Sequence, residues 1–184
     1  MDMKKPWLLA KWAFIAYALV CTLVMTTFIV AISYKILIGN RSSDAPASKK
    51  DAMRIMSWCG LDKNRVEEVL HSHISARSLS GDHLDAHAIR LSSLDEHELL
   101  KNETADGWFR CDQASGVLKD ALDFAAAWVP SSEVPWFPSE KEVRSKEMYV
   151  KSWTLRYDGA MLSEAVLIFV RPRDKMLFFV SVKT

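Results

Sequence analysis

The sequence predicts an α+β fold: a single N-terminal transmembrane helix, then a small domain with its helices first and a C-terminal three-stranded antiparallel meander. Three observations carry this. From Trp12 to Tyr34 run 23 consecutive residues without a charge. A polar stretch rich in Ser, with Gly and Pro, separates this run from a segment of mixed composition. From Met148 to the end, apolar and polar side chains alternate around two turn signals.

At about 1.5 Å per helical residue the uncharged run reaches roughly 35 Å, enough to cross a hydrocarbon core of about 30 Å with some tilt. It is longer than the roughly 7–15 apolar residues of a signal peptide, so an uncleaved anchor is expected. The boundaries that follow are a tail over 1–11, a transmembrane signal anchor over 12–38, a linker over 39–50 and an extramembrane domain over 51–184. Residues 1–50 hold seven Lys and Arg against Asp2 and Asp44, a net of +5, whereas residues 51–184 hold 17 against 21, a net of −4. The basic part suits anionic headgroups, and the acidic domain argues against nucleic acid as a partner. A short positive tail is expected to stay in the cytoplasm while the domain crosses, which predicts a bacterial inner-membrane protein with its C-terminal domain in the periplasm. Ala18, Thr22, Thr26 and Ser33 share one helical stripe, a candidate helix–helix interface. The expected partners are therefore the lipid bilayer and other membrane proteins or further copies of this chain.

Within the domain, Ala52, Met53, Ile55 and Met56 predict a helix from Asp51 to Trp58, stopped by Gly60. Asp62 is positioned to cap a second helix, with Val66, Val69, Leu70 and Ile74 following the helical period. The stretch AHAIRLSSL predicts a strand. Ser93 and Glu96 form a capping box for a short helix toward Leu100, and Ala105-Asp106-Gly107 turns the chain into a strand at Trp108–Arg110. Val117, Leu118, Ala121, Leu122, Ala125 and Trp128 predict an amphipathic helix ended by Pro130. The following loop places Trp136 and Phe137 as a candidate recognition surface, or as a lid on the core.

The meander is the clearest pattern. MYVKSWTLRY alternates, Asp158-Gly159 signals a hairpin, MLSEAVLIFV is apolar on both faces, and MLFFVSV follows the turn at Pro172-Arg173-Asp174. Such strands leave an edge that Lys151, Arg156 and Lys183 guard or a partner strand covers. The order of elements resembles the NTF2-like arrangement, or a cystatin-like one, in which helices pack on a curved antiparallel sheet. The resemblance is architectural and carries no motif. It implies a domain of the kind that secretion-machine components hang from a single N-terminal helix.

The chemistry is sparse. All five histidines lie between residues 71 and 97. His83 and His87 are the candidate metal ligands if helical, and His71 and His73 would converge only in a strand. Cys59 and Cys111 are the one pair able to form a disulfide within the domain. No HExxH, GxSxG, CxxC or phosphate-binding glycine loop is present, so no catalytic or cofactor-binding residue and no cofactor is predicted. The reading that follows is a membrane-anchored accessory or scaffold subunit acting by protein–protein contact. The alternative is an anchored regulator or inhibitor of immunity, anti-holin or sensor type, and the third is a histidine-based metal-binding or hydrolytic protein.

Overall fold

The computed structural model describes residues 5–37, 40–45, 47–78, 80–100, 107–129 and 132–184. The turn expected at Ala105-Asp106 and the helix stop at Pro130 lie outside these residues. The chain divides into two compact units, Met1–Arg41 and Ser42–Thr184.

The first unit is helix α1, Lys5–Leu37. Its segment Ala10–Tyr34 is long and apolar enough to span a membrane. On the small-residue stripe, the Thr22 hydroxyl donates to the Ala18 carbonyl at 2.9 Å and the Thr26 hydroxyl to the Thr22 carbonyl at 2.8 Å. Both hydroxyls are thus taken up by their own helix.

The second unit is an α+β domain built on one six-stranded, wholly antiparallel sheet. Its strands are β1 (Val66–Ile74), β2 (His83–Leu91), β3 (Phe109–Arg110), β4 (Tyr149–Asp158), β5 (Met161–Arg171) and β6 (Met176–Lys183). Their spatial order is β1-β2-β6-β5-β4-β3. The expected meander is β4-β5-β6, and it forms half of a sheet that β2 and β1 continue beyond β6. Gly159, at φ 62°, opens the two-residue loop between β4 and β5.

Two expectations are corrected. The segment carrying Val66, Val69, Leu70 and Ile74 is strand β1, not a second helix. Asp62 caps a single 3-10 turn at Lys63–Arg65 instead, accepting from the Asn64 amide at 2.9 Å. Lys183 belongs to β6, which lies between β2 and β5, so it guards no edge.

Helices cover both faces. Helix α2, Lys49–Cys59, starts at Ser48, whose Oγ accepts from the Asp51 amide at 3.3 Å, and ends at left-handed Gly60. It buries Ala52, Ile55, Met56 and Cys59 against Ile89, Val166, Ile168, Leu177 and Phe179. Helix α3, Glu96–Leu100, adds Leu99 to this layer. On the other face, helix α4, Gly116–Trp128, lays Ala121, Leu122 and Ala125 over Leu167, Phe169, Phe178 and Val180. Its buried stripe is narrower than its apolar pattern, since Val117 and Trp128 are about half exposed. Helix α5, Glu140–Val143, begins with the complete capping box of Ser139 and Glu142. Each large aliphatic or aromatic side chain sealed in these layers contributes about 1.5–3 kcal/mol of transfer free energy.

Candidate functional site

Strand periodicity places the histidines. Along β2, His83, Asp85, His87 and Ile89 share the face that packs on α2, while Leu84 and Ala88 face α4. His83 and His87 therefore share a face in a strand, because four residues are two strand periods. Ser72 of β1 sits opposite His87, and Phe179 and Ser181 of β6 sit opposite His87 and Asp85.

His83, Asp85, His87, Phe179 and Ser181 line a cleft of about 420 Å³ beneath α2, whose other wall carries Asp51, Arg54, Ile55 and Trp58. The floor is aromatic: the His87 ring stacks on Phe179 at 5.5 Å and 19°, and Trp58 meets Phe179 at 6.0 Å. His83 Nδ1 lies 2.9 Å from the Gly81 carbonyl, which only accepts, so this nitrogen carries a proton. In the neutral ring Nε2 then accepts from the Ser181 hydroxyl at 3.1 Å. His87 Nδ1 meets the Ser72 hydroxyl at 2.9 Å, and its Nε2 has no hydrogen-bond partner among the described residues. Burial holds the His87 ring below its ordinary value of 6.5, opposed by the nearby Asp85 and Asp51 carboxylates.

The rim carries two charge pairs. Arg77 makes a bidentate bridge to Asp85 at 2.9 and 2.5 Å. Arg54 approaches Asp51 at 3.8 Å and lies over the Trp58 ring at 5.5 Å. The Ser48 hydroxyl, more than any charge, holds the Asp51 carboxyl below the usual range. Ser181 sits on a strand paired on both sides, so the ladder consumes the backbone amides around it.

The other histidines make a different group. In the strand, His71 and His73 come to one face; they do not point to different sides as the helical expectation required. The His71 ring stacks on Trp136 at 5.3 Å. His73 is buried, with Nδ1 2.7 Å from Asp44 and Nε2 3.7 Å from Glu133. Among the described residues no group of three or more His, Cys, Asp or Glu gathers as a metal site. Phe137 packs edge-on against Phe169 and Phe178 at 6.0 and 5.8 Å, so the aromatic loop lies down on the core.

Cys59 and Cys111 are free thiols, Cys59 in the layer under α2 and Cys111 in the layer under α4. Burial pushes them up to about 11 and about 12. No local pattern in the chain marks the cleft, because its walls come from four separated segments.

The fold and cleft define an α+β domain with a polar, aromatic-floored pocket, joined to an N-terminal helix long enough to cross a membrane. The chain matches no protein-family model, no curated protein and no solved structure.

Proposed function

We propose that this chain is a single-pass membrane-anchored accessory or scaffold subunit whose domain works by protein–protein contact. The observation that carries the reading is the edge of β4. The two residues of β3 pair only with Tyr149 and Val150, leaving Lys151–Asp158 with no strand on that side among the described residues. Trp153 and Tyr157 on this edge, and Met161 just beyond the hairpin, are all exposed. An unpaired row of backbone groups beside exposed aromatics is suited to strand addition by a partner. The helical anchor fits a domain held at a bilayer, with the N-terminal tail inside and the domain outside, as in the periplasm of a bacterial inner-membrane protein. An NTF2-like layout accords with helices packed on an antiparallel sheet.

A photo-crosslinking residue placed at Tyr157 in the full-length membrane protein is expected to give one stoichiometric adduct, to a partner or a second copy. The same residue at Lys119 on α4 should give none. A clean monomer without adduct at both positions overturns the reading.

The second reading, an anchored regulator or sensor, is favoured by the convergence of His83 and His87 in one cleft. Loss of regulation on double replacement of these histidines, with partner binding intact, would select it.

A further inference from the structure

We propose that the cleft beneath α2 binds a small aromatic zwitterion, of the chemical class of an aromatic amino acid. The volume of about 420 Å³ falls within the range of small-molecule sites. Trp58, Phe179 and His87 give the cleft an aromatic lining, their rings packed on one another, against which a planar apolar body can lie.

The rim selects the head group. Arg54 and Arg77 supply two positive charges and Asp51 and Asp85 two negative ones around the same opening. A lone anion or a lone cation is attracted by one pair and repelled by the other. A molecule carrying both signs meets a counter-charge at each end. Arg54 is the accessible donor: it is 65% exposed, and its 3.8 Å approach to Asp51 is longer than a hydrogen bond. A ligand carboxylate can capture this guanidinium at little cost to the fold.

His87 gives the second, independent indication. The residue is only 7% exposed and lines the cleft, yet its Nε2 has no hydrogen-bond partner among the described residues. That nitrogen is not among the sealed, unpaired polar atoms of the described residues, so a ligand ammonium can reach it and donate to it. The Ser181 hydroxyl and His83 stand beside it as further polar contacts. The site rests on α2, β2 and β6, so its test stands apart from that of the β4 edge.

The experiment is calorimetric titration of the full chain in detergent micelles with L-phenylalanine, 3-phenylpropanoate and phenethylamine, which share a ring and differ in charge. Binding of L-phenylalanine should exceed that of the anion and the cation by roughly tenfold or more. Arg54→Gln, an exposed change, and His87→Gln should each weaken it by about the same factor with an unchanged circular dichroism spectrum. Absence of saturable heat for L-phenylalanine overturns the proposal. So does equal binding of all three probes, or full affinity in the Arg54→Gln protein.

Discussion

Trp58 of α2 and Trp153 of β4 stack nearly parallel, with centroids 5.8 Å apart and planes at 13°. Trp153 is the residue at which β4 slips out of register, between Ser152 and Thr154. The bulge turns the indole toward the α2 face, where it backs the wall of the cleft.

This pair should behave as a coupled unit. In a double-mutant cycle with Trp58→Leu and Trp153→Leu, the coupling is expected at about 0.5–1.5 kcal/mol beyond lost area. Urea unfolding of the full chain in micelles, followed by circular dichroism, measures it. Additivity of the two changes would mean that the stack contributes nothing of its own.

His87 ties stability to pH. Burial lowers its folded value below 6.5, so as pH falls the unfolded chain takes up the proton first. Stability therefore rises with pH across this window, and acidification removes it until the folded ring also protonates. The carboxyls of Asp51, Asp123 and Glu142 are lowered by hydrogen bonds to Ser48, Arg144 and Ser139. Their contributions are lost only in more acidic solution, below their ordinary values of 3.8 to 4.5. Unfolding free energies measured from about pH 7 to 5 should fall, and His87→Gln should flatten that slope. An identical slope in the variant rejects the assignment.

Legibility followed regularity. Helix α2 and strand β2 carry unbroken periods, and firm turn residues bound the β4-β5-β6 meander even though β4 itself slips register at Trp153, so all of these are legible in the sequence. Strand β1 was misread because its register shifts between Val66 and Glu68 and again between Val69 and His71. Each shift moves the apolar positions by one, so Val66, Val69, Leu70 and Ile74 acquire a spacing of three and four that imitates a helix. The same misreading sent His71 and His73 to opposite sides. The cleft was illegible for a different reason: its contacts are long-range, and no local period encodes which strand lies beside β2.

His73 supplies a test of polar accounting in the buried layer. Its Nδ1 meets Asp44 at 2.7 Å, and its Nε2 is sealed from solvent without a hydrogen bond, 3.7 Å from Glu133. Asp44→Ala leaves both ring nitrogens without a partner and should cost about 1–3 kcal/mol. His73→Phe removes the donor and the acceptor together and should cost less. The order of the two unfolding free energies decides the matter, and a costlier His73→Phe would assign the ring a role beyond satisfying Asp44.

The cysteines bear on how sidedness can be measured. Cys59 and Cys111 are both buried, 2% and 4% exposed, and their thiols are pushed up to about 11 and about 12. The thiolate is the reactive form, so both should resist a membrane-impermeant maleimide on either side of the bilayer until the domain opens. Protection of these two residues in intact cells therefore says nothing about which compartment holds the domain. Met161→Cys, on the β4-β5 hairpin and 77% exposed, is the informative probe. With the domain outside, this thiol should label in intact cells while Cys59 and Cys111 label only after denaturant. Labelling at Met161→Cys that needs cell lysis would reverse the proposed orientation, and rapid native labelling of Cys59 would contradict its burial under α2.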